Sequence, residues 1–202
     1  IITDDKKGYR TIFRNLLRQH NIDTIGTAEH GLALLNLLDT MVPDVILLDV
    51  DMPIMDGVTT MKQLQTKHPE RKVIVLSQHN DNCLIVGFEK MGARGYVSKD
   101  EAMGDMEQFA KVIEKIKQGK KHIVKNPEQP TIKLSEIQKD IIHLNGKSMD
   151  KKEISEVLGI TVDGVAKQEK KIMAKIGVTN IKALTSYIIK TGLAFLRGRQ
   201  TK

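Results

Sequence analysis

The sequence predicts an α/β sheet domain followed by an all-α module, and three observations carry that prediction. Short apolar runs alternate five times with longer helical patterns up to about residue 118. Two of those runs, Val45–Asp49 and Val73–Ser77, are almost continuously apolar and rich in β-branched residues, the composition of strands covered on both faces. Beyond residue 133 the pattern is purely helical, in four pieces that each follow a capping residue.

The predicted strands are Ile1–Thr3, Asp23–Ala28, Val45–Asp49, Val73–Ser77 and Gly95–Lys99. Between them, residues recur at helical spacing: Tyr9, Ile12, Phe13, Leu16 and Leu17, then Val86, Lys90 and Met91 around Phe88, then Phe109, Val112, Ile113 and Ile116. Strand and helix in alternation make a doubly wound, five-stranded parallel sheet over residues 1–118. The stretch 119–133, "GKKHIVKNPEQPTIK", has two prolines, mixed charge and no period, and reads as a linker. Residues 134–202 form the helical module. Ser135 opens its first helix, with Ile137, Ile141 and Ile142 inward. Asp150 opens the second, with Ile154, Val157 and Leu158, and Gly159 stops it. Thr161 opens the third, with Val165, Ile172, Met173 and Ile176, and Gly177 stops it. Asn180 opens the last, with Leu184, Tyr187 and Ile188.

Composition narrows the function classes. All of the +7 net charge falls in residues 131–202, where 14 Lys/Arg face 7 Asp/Glu, and the rest of the chain is neutral. A basic module on a neutral domain suits a nucleic-acid or anionic-surface partner. The single cysteine, Cys83, rules out an intramolecular disulfide and fits a reducing, cytoplasmic setting. No apolar run approaches the roughly 20 residues of a membrane span, no signal-peptide pattern appears, and no membrane partner is expected. The chain opens on Ile1 rather than Met, so leading residues are expected before it.

Chemistry is expected where the strands end. Ligands of open parallel sheets bind beyond the carboxyl ends of the strands. Asp4 and Asp5 follow the first run, Asp49 ends the third, Ser77 the fourth and Lys99 the fifth. Three carboxylates in contact repel one another unless a cation intervenes. Mg²⁺ favours one or two carboxylates together with phosphate oxygens, and a lysine and a hydroxyl opposite would hold the remaining phosphoryl oxygens. The set suits phosphoryl transfer to a carboxylate nucleophile.

The segments "TDD", "LLDVDMPIMDG", "VLSQHND" and "GARGYVSKD" resemble the receiver domain of bacterial two-component response regulators, which has a flavodoxin-like, CheY-like fold. The resemblance covers residues 1–118. It implies Asp49 as phosphoacceptor and a Mg²⁺ site of Asp4, Asp5, Asp49 and the backbone carbonyl of Asp51. It also implies Ser77 as switch hydroxyl, Tyr96 as the aromatic ring that changes burial on activation, and Lys99 as the phosphate-pairing cation. Pro53 and Gly57 match the turn after the acceptor. Gln78 departs from the pattern, standing where a small residue is usual, and its size is expected to restrict access to the phosphoryl group and change its lifetime.

The segments "LSEIQKDIIHL", "KSMDKKEISEVLGIT" and "VAKQEKKIMAKIGVTNIKAL" resemble the four-helix helix-turn-helix output domain of the NarL/LuxR (FixJ-like) response regulators, from Leu134 to about Gly192. That resemblance implies a third helix that enters the major groove of double-stranded DNA, with Lys167, Gln168, Lys170, Lys171 and Lys175 as candidate contacts. Gly164 and Ala166 depart from the family pattern, and Asp163 and Glu169 bring acid towards a polyanion. The implied function is a transcription regulator, not an enzyme, phosphorylated by a sensor histidine kinase and homodimeric on activation. The alternative output is a protein-binding module. An aspartyl-nucleophile phosphatase is disfavoured, because "DVDMP" follows the third run rather than the first and no cap insertion exists.

Overall fold

The computed structural model describes residues 1–78, 82–124 and 134–190. Among them the chain forms two compact units, one carrying the sheet and one the C-terminal helices.

Over residues 1–124 the elements run β1 (Ile2–Thr3), α1 (Lys7–Gln19), β2 (Thr27–Ala28), α2 (Gly31–Leu38), β3 (Ile46–Asp49), α3 (Gly57–Lys67), β4 (Val73–Ser77), α4 (Asn82–Lys90), β5 (Gly95–Ser98), α5 (Lys99–Gly104), α6 (Met106–Lys117) and β6 (His122–Ile123). The strands pair in parallel in the order β2-β1-β3-β4-β5-β6. The order reverses at β1, which makes the β1/β3 end the switch point where such sheets bind ligands. The α/β prediction holds, with differences at the edges. Only Thr27–Ala28 of the expected second strand pairs. The sheet also gains β6, from within the stretch read as linker. Gly119, at φ +87°, lets the chain reverse after α6 and return alongside β5. Two residues are too short to show a period, which is why the sequence hides this strand. Residues 125–133 of the expected linker lie outside the described residues.

Every residue of β3 and β4 is buried, as their unbroken apolar runs require. On one face, Ile2, Leu47, Ile74, Leu76 and Val97 pack with Phe13 and Leu17 of α1 and with Phe109, Val112, Ile113 and Ile116 of α6. Phe13 meets Phe109 edge-on at 6.0 Å between centroids. Alternation sends Ile46, Leu48, Val73 and Val75 to the other face.

The second unit contains α7 (Glu136–Gly146), α8 (Lys151–Leu158), α9 (Val162–Ile176) and α10 (Ile181–Lys190). All four expected starts are found. Asp150 and Thr161 cap α8 and α9 with their side chains, and the Asn180 Oδ1 accepts from the Ala183 amide at 2.8 Å. Ser135 opens α7, where the Gln138 Oε1 accepts from its amide at 3.1 Å. Gly159 and Gly177 end α8 and α9 in the left-handed region. The core holds Ile141, Ile142, Leu144, Ile154, Val165, Ile172, Leu184 and Ile188. Val157, expected inward, is exposed. The Tyr187 side chain and residues 191–202 lie outside the described residues.

Gly57 has no room for a side chain. A Cβ there would lie 2.3 Å from the Asp49 carbonyl oxygen and 2.8 Å from the Val50 Cα, both backbone atoms that cannot swing aside. Gly57→Ala is therefore expected to destabilise the first unit by about 2 kcal/mol or more. Urea unfolding checks this, and an unchanged midpoint would contradict the tight turn.

Candidate functional site

The β1, β3, β4 and β5 ends come together as the sheet order requires. Asp4 follows β1, Asp49 closes β3, Ser77 closes β4, and Lys99 stands one residue past β5. Register sets Asp49 beside Leu76 and Ser77 beside Ser98. Asp4, Asp49, Ser77 and Lys99 are all buried.

Lys99 is the centre of the cluster. Its Nζ lies 2.7 Å from the Asp4 Oδ2 and 2.9 Å from the Asp49 Oδ2. The other oxygen of each acid accepts from a backbone amide, Lys6 onto the Asp4 Oδ1 at 2.9 Å and Val50 onto the Asp49 Oδ1 at 2.8 Å. Arg10 fastens the β1–α1 turn by donating to the carbonyls of Asp4 and Asp5 at 2.6 and 3.0 Å. Asp5 completes a trio in which carboxylate oxygens of Asp4, Asp5 and Asp49 lie within 4.8 Å of one another. Its Oδ1 is buried with no hydrogen-bond partner among the described residues. Asp51 is exposed, and its carboxylate stands outside this trio. Asp56 caps α3 instead, accepting from the Thr59 amide at 2.7 Å.

Burial pushes the Asp49 carboxyl up to about 6, against the hydrogen bond and charge of Lys99, and the Asp4 charge adds to the rise. Burial alone would lower the Lys99 ammonium, but the hydrogen bonds and charges of Asp4 and Asp49 outweigh it and hold Lys99 above its ordinary value. Tyr96 is buried, its ring 6.2 Å from that of Phe88.

Sequence reasoning missed two supports of this site. Lys99 does not simply end a strand. It is the first residue of α5, which is fixed by a capping box between Ser98 and Glu101. The signal was the S-x-x-E spacing. Tyr9 is the second. Its ring centroid lies 4.5 Å from the Lys99 Nζ, and its hydroxyl accepts from the Gln78 Nε2 at 3.0 Å.

In the second unit, α8, the turn at Gly159 and α9 form a helix-turn-helix. Val165, Glu169 and Ile172 mark the buried face of α9, which leaves Lys167, Lys170, Lys171 and Lys175 exposed. Lys167 pairs with Asp163 at 2.7 Å, an exposed pair of little energetic weight. Gln168 and Lys175 turn towards α7. The Gln138 Nε2 donates to the Gln168 Oε1 at 3.1 Å, and the Lys175 Nζ donates to the Gln138 Oε1 at 2.9 Å. Glu169, expected to face a polyanion, is instead only 1% exposed. It accepts from the Asn145 Nδ2 at 3.3 Å and pairs with Lys151 at 3.3 Å.

Residues 1–111 match the response regulator receiver domain. The chain belongs to the response regulator family. Over 115 residues this regulator is 31% identical to the chemotaxis protein CheY of Listeria monocytogenes, a match covering 55% of this chain and 97% of that protein. It is 26% identical to the oxygen regulatory protein NreC of Staphylococcus aureus, a match covering 96% of this chain and 97% of that protein. Among solved structures it resembles the two-component response regulator RcsB in complex with DNA, with a TM-score of 0.66, 26% identity, and coverage of 94% of this chain and 96% of that one. It also resembles RcsB from Salmonella enterica serovar Typhimurium bound to a promoter in the presence of the phosphomimetic BeF3⁻, with a TM-score of 0.68, 26% identity and the same coverage. The regulator thus combines a CheY-like receiver with a LuxR-type helical output unit, and its relatives include a chemotaxis protein, an oxygen regulatory protein and a two-component response regulator. Among the described residues, no helix is long and apolar enough to cross a membrane.

The raised carboxyl has a measurable consequence. In metal-free protein Asp49 is expected to titrate near pH 6 rather than at 3.8. Because the folded state holds its proton more tightly, this group's contribution to stability falls as pH rises from 3.8 to about 6. Carbon-13 NMR of the Asp carboxyls checks this, and a midpoint at the ordinary value would contradict the desolvation.

Proposed function

We propose that this response regulator accepts a phosphoryl group on Asp49 from a sensor histidine kinase and uses it to control DNA binding by its C-terminal unit. The observation that carries the reading is the buried Lys99 ammonium shared between Asp4 and Asp49 at the β1/β3 switch point. In the transfer, an Asp49 carboxylate oxygen attacks the phosphorus of a phosphohistidine. The P–N bond breaks, the imidazole nitrogen keeps the electron pair and takes up a proton, and an aspartyl phosphate remains. Lys99 then pairs with one phosphoryl oxygen, and Ser77 donates its hydroxyl to another. Tyr96, buried beside Phe88, is the ring whose inward position the phosphorylated state would favour.

Asp4, Asp5, Asp49 and the Asp51 backbone carbonyl would hold Mg²⁺. The fit rests on the partnerless, buried Asp5 Oδ1 and on the oxygens of Asp4, Asp5 and Asp49 lying within 4.8 Å of one another. When bound, the ion supplies positive charge that offsets the repulsion among these carboxylates and the incoming phosphoryl oxygens. The protein acts as a switch rather than as an enzyme, in the cytoplasm.

For the output we propose a receiver over 1–118 with β6 as its continuation, a linker within 119–133 and a DNA-binding unit over 134–202. Lys167, Lys170 and Lys171 on the exposed face of α9 would meet phosphates, while Gln168 and Lys175, held by Gln138, would stand at the edge of the contact. A homodimer formed on activation would read paired half-sites. A protein-binding output is the second reading. It is favoured by the engagement of Gln168, the one amide side chain on α9 suited to bidentate base contact.

Asp49→Asn should abolish Mg²⁺-dependent uptake of radiolabelled phosphate from acetyl phosphate, whereas acid-labile label retained elsewhere would refute the acceptor. Lys170→Ala combined with Lys171→Ala should weaken DNA binding and reduce the slope of log affinity against log salt by about 2. Salt-titrated fluorescence anisotropy measures both, and an unaltered slope would move the contact off this helix face.

A further inference from the structure

Gln78 stands immediately after Ser77, at the exposed end of β4. Three side chains lead outward from the buried acids. Lys99, 2% exposed, pairs with Asp49. The half-buried Tyr9 ring lies over the Lys99 Nζ at 4.5 Å. Exposed Gln78 donates from its Nε2 to the Tyr9 hydroxyl at 3.0 Å. The bond joins α1 to the residue after β4, across 69 positions of the chain.

We propose that the Tyr9–Gln78 pair is a clasp over the phosphoacceptor that sets the lifetime of the aspartyl phosphate by restricting the approach of water, an inference that rests on Asp49 as acceptor. Loss of the phosphoryl group needs a water oxygen to attack phosphorus while the P–O bond to Asp49 breaks. The carboxylate leaves with the electron pair, a water proton passes to solvent, and inorganic phosphate departs. A hydrogen-bonded bridge across the mouth hinders that attack without touching the reacting atoms, so both residues are positioning residues. The geometry also assigns the two groups one joint effect, because each holds the other in place.

The experiment is a double-mutant cycle on the loss of label from full-length protein phosphorylated with labelled acetyl phosphate. Gln78→Ala and Tyr9→Phe should each speed the loss about 3- to 10-fold, the range of one neutral hydrogen bond. The double variant should be no faster than the faster single variant. Tyr9→Phe keeps the ring over Lys99, so it separates the hydroxyl from the packing. Unchanged lifetimes, or effects that multiply in the double variant, would overturn the clasp while leaving the acceptor standing. If Asp49→Asn takes up as much label as the wild type, the acceptor assignment fails and the clasp fails with it.

Discussion

The structure turns on one buried ammonium. Asp4 and Asp49 stand at the ends of adjacent parallel strands, and the β1–β3 pairing brings two carboxylates out of water side by side. Two carboxylates that close repel one another unless a cation lies between them. Lys99 supplies it, yet a buried ion pair seldom repays its own desolvation, so stability is a weak explanation for this arrangement. A role in meeting a phosphoryl group, as proposed above, would explain it better, because the ammonium between the two acids is in place to meet incoming negative charge. Its placement then imposes conditions on the sheet. β4 and β5 must keep their register so that Ser77 and Lys99 reach the same edge as Asp49, and the Ser98–Glu101 capping box must fix the first turn of α5.

The placement of these groups was legible because parallel strands deliver every carboxyl end to one edge. Knowing where each apolar run stopped was enough to gather Asp4, Asp5, Asp49, Ser77 and Lys99. The helix starts at Ser135, Asp150, Thr161 and Asn180 were legible for an equally local reason, since capping side chains act within three residues. What escaped was either too short or too distant. β6 is two residues long, and β2 pairs over only two. The contact of Gln78 with Tyr9 joins residues 69 apart in the chain, and no local pattern announces it.

Glu169 is a different kind of miss. Val165, Glu169, Ile172 and Ile176 lie at helical spacing on one stripe, so periodicity alone turns Glu169 inward. Its charge suggested the opposite. The structure follows the spacing and answers the charge with Lys151 and Asn145. An isolated carboxylate buried to this degree would be untenable, so α8 and α9 are tied by an interaction with specific geometry rather than by apolar packing alone.

That arrangement changes what α9 can offer a polyanion. By count the helix carries four lysines and two acids. Burial removes Glu169 from the exposed face, and Lys151 compensates it within the unit. Asp163 is matched by Lys167, and Lys175 is drawn towards Gln138. All four lysines are exposed, and Lys170 and Lys171 are adjacent. The electrostatic face of α9 is therefore narrower and more uniformly positive than its composition suggests. Such a face would attract a phosphate backbone without distinguishing bases. Any preference for particular sequences would then have to come from groups beyond this lysine face, such as Gln168 released from Gln138, or from the shape and spacing imposed by a second copy of the unit.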